Sequence, residues 1–130
     1  MQYSYNLHRP HGFSLLELVI VVAIAGILLL VALPSYQRHI THSHRFDAQT
    51  ALLKWQMQQE RYRISHSTYA SNAALSPPVS DFYDYSVSDI SATTFTLQAQ
   101  ATGRQEDDSG CTELSLDQSM AQQPQSCWPQ

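Results

Sequence analysis

The sequence predicts an α+β fold in which one long N-terminal helix packs on a small antiparallel sheet of three or four strands. Two patterns predict it. An apolar run from Phe13 to Leu33 is followed by a segment in which apolar residues recur at steps of three and four, which indicates a helix. The second half of the chain alternates apolar and polar residues over short runs, which indicates strands. A length of 130 residues suits one small domain with an appended helix.

The apolar run is long enough to cross a membrane. Its 21 residues span roughly 30 Å as a helix, which matches the hydrocarbon core of a bilayer. Glu17 is the one charged residue within it, and a lone carboxylate is costly in hydrocarbon unless it is paired or neutralised. Arg9 before the run favours a cytoplasmic N-terminus, but Arg38 and Arg45 beyond it weaken that charge bias.

The helix is predicted to continue past Pro34 as far as Ser65. Pro34 removes a backbone hydrogen bond and kinks a helix, and Gly26 also weakens it. The alternative is that Pro34 ends the membrane helix, but the helical spacing resumes beyond it, so an amphipathic stem is expected. The face of the stem that should pack on the sheet contains Ile40, Ala48, Ala51, Leu52, Trp55, the polar Gln59 and Tyr62.

A basic cluster lies at the start of the stem and consists of Arg38, His39, His42, His44 and Arg45. Contact with lipid headgroups or with adjacent subunits is the preferred interpretation. Nucleic-acid contact is a weaker alternative. Metal binding is weaker still, because the histidines have no carboxylate or cysteine beside them.

The remaining residues predict a loop and then strands. Residues 65–80 contain two prolines and several serines, which is typical of a loop. Residues 83–89 and 95–101 alternate in polarity and are joined by a short link, so we expect an antiparallel hairpin. Residues 112–117 give a third strand. The polar tail from Gln118 is expected to add a short fourth strand or to lie across the sheet edge.

The two cysteines, Cys111 and Cys127, both lie near the C-terminus. If the membrane segment exports the residues beyond it, both cysteines lie outside the cytoplasm. A disulfide between them is then expected to stabilise the head by roughly 3 kcal/mol. Two free thiols in a reducing compartment are the alternative. Cysteine spacing typical of a metal site is absent.

The junction at Gly12 carries the most specific motif. The stretch G-F-S-L-L-E-L-V-I-V-V-A-I-A-G-I-L-L-L-V-A-L-P-S-Y resembles the class III signal sequence and N-terminal helix of type IV pilins. This resemblance implies that a prepilin peptidase cuts after Gly12, that Phe13 becomes the methylated N-terminus, and that Glu17 serves assembly. Residues 1–12 are then the leader peptide, residues 13–65 the transmembrane and stem helix, and residues 66–130 a periplasmic head.

The resemblance implies a structural subunit of a type IV pilus. The subunit should sit in the inner membrane, in contact with lipid, with one membrane pass and a periplasmic head before assembly, and in the extracellular fibre afterwards. Its partners would be other pilin subunits, the prepilin peptidase and the assembly machinery of the inner membrane. The ending Cys127-Trp128 resembles PilE-type minor pilins, which favours a minor pilin that primes assembly or enters the fibre. Twitching motility, adhesion and DNA uptake all remain open as its purpose.

Two alternative functions differ from this one. A pseudopilin of a type II secretion system would have the same N-terminus, and the paired cysteines favour a pilin. A pilin that binds DNA directly would need cations on its head. After Ser65 the chain has Arg104 as its one Lys or Arg against eight acidic residues, so the sequence argues against direct nucleic-acid binding.

Enzymatic motifs are missing from the sequence. It has no nucleophile motif, phosphate-binding loop or metal signature, so it predicts no enzyme, no cofactor and no metal. The run Glu106-Asp107-Asp108 has ligand types that suit calcium, but a solvated acidic loop is the preferred interpretation.

Overall fold

A computed structural model describes residues 12–129 of the chain. Its helix and strands are α1 (Leu15–Ser65), β1 (Tyr83–Ser88), β2 (Thr96–Ala101), β3 (Glu113–Asp117) and β4 (Gln122–Gln123). Two short 3-10 helices lie at Gly103–Asp107 and Gln125–Cys127. The strands form one antiparallel sheet in the order β1-β2-β3-β4. The predicted α+β fold is confirmed, and the sheet has the fourth strand.

The chain forms two compact units, and the division falls between Gln37 and Arg38. The first unit contains the apolar half of α1. The second unit contains the stem half of α1 and the whole sheet. The predicted boundary at Ser65 therefore separates the helix from the strands in sequence, but it does not separate the packed units. Helix α1 itself is unbroken at Pro34, as the spacing predicts, while a kink there stays a prediction.

The stem packs on the sheet through the face that its spacing predicts. Ala48, Leu52 and Trp55 are at most 1% exposed. They belong to one core with the inward-facing residues of the strands, which include Tyr83, Leu97, Ala99, Ala101, Leu114 and Leu116. Alternation along each strand puts these side chains on one face of the sheet. Burial also raises the pKa of Tyr85, to about 12, because the phenolate is poorly solvated there.

Two buried glutamines connect the stem to the loop that follows it and to the C-terminal segment. The amide of Gln59 donates to the carbonyl oxygen of Ala70 at 2.9 Å and accepts from the backbone N–H of Ala70 at 2.8 Å. The amide of Gln49 donates to the carbonyl oxygen of Cys127 at 2.6 Å. Buried amides require such partners, which explains how a polar residue interrupts the apolar face without penalty.

A third buried glutamine, Gln105, fixes the 3-10 helix after β2 against the Arg38 end of the stem. Its amide nitrogen lies 3.1 Å from the carbonyl oxygen of Thr41 and 2.9 Å from the hydroxyl of Tyr83. Next to it, Arg45 and Asp108 form an ion pair at 3.3 Å. One end of the acidic loop is thereby attached to α1.

The hairpin between β1 and β2 has a longer link than predicted. Alternation predicts Asp89 at the end of β1, but it has a φ of 53° and lies beyond the strand. The same pattern predicts that Phe95 begins β2, but Phe95 lies before the strand and is fully buried. Asp tolerates the left-handed backbone conformation, which an alternating pattern cannot reveal. Within the link, the N–H of Ser91 donates to the carbonyl oxygen of Thr94 at 3.0 Å.

The C-terminal segment closes back onto the core. Cys111 and Cys127 form a disulfide with a Cα–Cα distance of 5.7 Å, and Trp128 beside it is 5% exposed. In the turn from β3 to β4, the carboxylate of Asp117 accepts from the hydroxyl and N–H of Ser119 at 2.6 and 2.8 Å. These hydrogen bonds favour the charged form and lower the pKa of Asp117.

The Gln59 contact gives a direct test of the head's stability. Gln59→Leu removes both partners of Ala70 and leaves a buried N–H and C=O unpaired, which should lower the free energy of unfolding by roughly 1–3 kcal/mol. Urea unfolding of residues 38–130 measures this, since that unit has its own core and disulfide. Gln58→Leu, at an exposed position one residue away, should change stability by less than about 0.5 kcal/mol. Equal effects of the two substitutions would contradict the assignment.

Candidate functional site

Within residues 12–129, the first unit presents an apolar helix whose side chains are exposed. Every Leu, Ile and Val from Leu15 to Leu33 is at least 50% exposed. Among the described residues, α1 is a helix long and apolar enough to cross a membrane. An apolar surface of this extent far exceeds the patches that soluble monomers carry, so it marks contact with lipid or with other helices.

The three residues that the sequence singles out lie at the exposed beginning of this helix. Helical hydrogen bonding begins where the N–H of Leu18 donates to the carbonyl oxygen of Ser14 at 3.1 Å. Phe13, just before it, is 85% exposed, and Glu17 is in the first turn, where a carboxylate suits the helix dipole. A Cβ added to Gly12 would meet no atom within 4 Å. The fold therefore does not require glycine at this position. The rest of the predicted leader, residues 1–11, lies outside the described residues.

The basic cluster of the stem is only partly available to a partner. Arg45 is paired with Asp108 and also contacts His42. The ring of His44 stacks on Phe82 with centroids 3.6 Å apart, and its Nδ1 lies 3.3 Å from the side-chain oxygen of Gln105. His44 and Arg45 therefore hold the head together. Sequence reasoning missed this role because the partners lie about 60 residues away along the chain.

Metal binding has no support in the described part of the chain, where no group of three or more His, Cys, Asp or Glu residues is placed to hold an ion. The acidic run at residues 106–108 is instead divided between solvent and the helix. Glu106 and Asp107 are exposed, while Asp108 faces Arg45.

Charge is distributed unevenly over the second unit. Five of its six cations are on α1, and these are Arg38, Arg45, Lys54, Arg61 and Arg63. The residues after Ser65 carry one cation and eight acids. Because the stem belongs to the same unit as the sheet, the head has a basic helix side and an acidic sheet side. A count of cations that begins after Ser65 omits the basic side, because those cations lie on α1.

Two family models match the chain, on adjacent segments. Residues 7–33 match the prokaryotic N-terminal methylation motif. Residues 34–115 match the family described as "Type IV minor pilin ComP, DNA uptake sequence receptor".

Individual relatives are pilins as well. The type IV major pilin PilA of Myxococcus xanthus is 34% identical over 83 residues, which are 62% of this chain and 38% of the relative. A type IV major pilin PilE1 of Neisseria gonorrhoeae is 34% identical over 94 residues, which are 68% of this chain and 42% of the relative. The matched region thus spans about two fifths of the length of these relatives.

Similarity extends to three-dimensional structure. A solved type IV pilin from Shewanella oneidensis is 32% identical, with a TM-score of 0.59, over 69% of this chain and 99% of the solved one. It shares the arrangement of a long helix packed on an antiparallel sheet. One family model alone covers more than half of the sequence, from residue 34 to residue 115. The chain therefore belongs to the type IV pilin family, within the group of minor pilins described as ComP.

Proposed function

We propose that the chain is a structural subunit of a type IV pilus, a minor pilin that primes assembly or is incorporated into the fibre. The observation that carries this proposal is the exposed apolar helix from Leu15 to Leu33, attached to a compact, disulfide-bonded head. The helix anchors the subunit in the inner membrane with its head in the periplasm. On assembly, helices of other pilin subunits replace lipid around it. No catalytic step is part of this function.

Processing at Gly12 creates the group that Glu17 needs. Cleavage by the prepilin peptidase leaves an α-amine on Phe13, which is then methylated. Glu17 comes one helical turn later, and in a fibre its carboxylate meets the amine of a neighbouring subunit. A paired charge in an apolar core is far less unfavourable than a lone one, so pairing favours the assembled state.

The pilus function is preferred to a type II secretion pseudopilin. Both classes share the N-terminal motif, so the head has to discriminate between them. The family matched by residues 34–115, which include most of the sheet, is a pilin family. The cysteine-closed C-terminal loop also supports a pilin. Through the pilus, the subunit would support motility, adhesion or DNA uptake.

Gly12→Ala tests the processing step. The variant should retain its leader, because the peptidase requires glycine at the cut while the fold does not. Intact mass of the membrane-extracted protein measures the outcome. Gly26→Ala is the matched control, since a Cβ there also meets nothing within 4 Å, and this variant should be processed normally. A Gly12→Ala protein that begins at Phe13 would refute the assignment.

Glu17→Ala tests the assembly step. The variant should be processed and folded but should fail to support piliation, because the N-terminal amine of its neighbour loses its partner. Counts of surface pili and the share of the subunit in sheared fibres measure this. Glu17→Gln should fail in the same way, since it keeps the shape and removes the charge, whereas Ser14→Ala should assemble. Normal piliation with Glu17→Ala would overturn the proposed pairing.

Direct DNA binding is a second candidate function, because the matched family is described as a DNA uptake sequence receptor. The basic side of the head supports it. Lys54 and Arg61 are exposed and form no ion pair with any described residue. The guanidinium of Arg63 donates to the backbone carbonyls of Ala92 and His66 and forms no ion pair with a described carboxylate. Phosphate contacts need such cations, and the scarcity of cations after Ser65 describes the acidic side alone.

Fluorescence anisotropy of residues 38–130 with a labelled DNA duplex tests this candidate. If the basic side contacts phosphates, binding should weaken with salt, and Lys54→Ala with Arg61→Ala should reduce the salt slope by about 1 for each phosphate interaction removed. Arg104→Ala, on the acidic side, is the matched control and should bind as the parent does. Absence of salt-sensitive binding would exclude direct capture by the head and leave uptake to the pilus as a whole.

A further inference from the structure

The face of the sheet that points away from α1 carries acidic and uncharged polar side chains. We call it the outer face, and it consists of the strand residues that alternate with the inward-facing ones. Two exposed carboxylates lie on it, Asp84 of β1 and Glu113 of β3. Their neighbours on this face, such as Ser86 and Gln98, have hydroxyl or amide groups. Among the described residues of the four strands, none is a lysine or an arginine.

The two carboxylates of the outer face act on the same area of it. Asp84 and Glu113 are both register partners of Gln100, which lies between them on β2. With neighbouring strands about 4.8 Å apart, their backbones are about 10 Å apart. Neither carboxylate forms an ion pair with any described residue. A phosphate that approached the middle of this face would therefore meet two negative charges and no cation to offset them.

The exposed cations of the stem point in the opposite direction. At about 100° per residue, Lys54 and Arg61 lie within about 20° of each other on the helix circumference. Both are about 160° or more from Leu52, which packs on the inner face of the sheet. The body of the helix, about 10 Å across, separates them from the sheet. Because the Debye length is about 8 Å at physiological salt, the charges on the two sides do not cancel, and each side presents its own sign.

We propose that the outer face repels phosphate and thereby restricts DNA to the stem side of the head, with Asp84 and Glu113 as the residues that enforce this orientation. The proposal rests on the second candidate function, direct DNA binding, and adds to it a surface that rejects DNA. Two like charges about 6 Å apart in water disfavour contact by roughly threefold. Together the two carboxylates should disfavour DNA on this face by up to about tenfold at low salt, and by less as salt screens them. Attraction by the stem and repulsion by the sheet then select one side of the head.

Site-specific photo-crosslinking to DNA reports which side is used. A photoreactive phenylalanine analogue replaces Gln58 on the stem or Ser86 on the outer face, both exposed positions, in the full-length chain in a neutral detergent. The probe is a labelled DNA duplex of random sequence at low salt. The parent should link to DNA from position 58 and not from position 86. Asp84→Asn with Glu113→Gln should raise linking from position 86 by about five- to tenfold and leave position 58 unchanged, and the gain should shrink as salt is added.

A control with the same change of net charge separates placement from total charge. Asp89→Asn with Glu106→Gln also removes two exposed carboxylates, but neither lies on the outer face, so linking from position 86 should stay at the parental value. All four side chains are exposed, and an unchanged Tm verifies that the variants fold.

Three results would contradict the proposal. Equal linking from both positions in the parent, or no gain at position 86 in the outer-face variant, would refute the repulsion while leaving DNA binding by the stem intact. An equal gain in the control variant would assign the effect to net charge and refute the role of the outer face. Absence of any link from position 58 in the parent would refute direct DNA binding by the stem, and the orientation with it.

Discussion

The structure depends on one constraint, which is that a single 51-residue helix must be compatible with two different environments. Its first half presents aliphatic side chains on every side, as hydrocarbon requires. Its second half presents a buried face with Leu52 and Trp55 to the sheet and mixed residues to the outside. The change of pattern occurs near Pro34 and the basic residues after it, where the compact units divide. The sheet is small, and without the stem its inner face would have no cover.

Polar contacts give this helix–sheet packing its specificity. Leucine and alanine on the inner face of the sheet would accept several helix positions, because apolar contact has little directional preference. The amides of Gln49, Gln59 and Gln105 accept only one position of the helix. Each amide donates a hydrogen bond to a particular backbone carbonyl across a buried interface. A shift of the stem by one turn would leave all of these groups unpaired. The hydrophobic core supplies the attraction, and the three glutamines determine the register.

The sequence was sufficient for features that repeat and insufficient for those that depend on distant partners. Periodicity predicts the helix, the stem face and the hairpin because each pattern is local. It misses the left-handed conformation of Asp89, which no alternation encodes. It also misassigns Arg45 and His44 to an external surface, because their partners, Asp108 and Gln105, come into reach only through the fold. The same limitation applies to the charge of the head, which depends on whether the stem is counted with it. The motif from Gly12 to Glu17 needs no tertiary information, so it is the most informative stretch of the sequence.

Through the hydrogen bond between Gln49 and Cys127, the redox state of the compartment affects how the C-terminal segment packs on the stem. The carbonyl that accepts from Gln49 belongs to a cysteine of the disulfide, so the last turn of chain is held covalently to Cys111, just before β3, and to the helix by a buried hydrogen bond. Before oxidation, that segment and Trp128 beside it lack their covalent tether, and the amide on the helix is held less firmly. Completion of the head therefore requires an environment in which the two cysteines are oxidised. A subunit in a reducing environment would have its helix but not this covalently closed C-terminal segment.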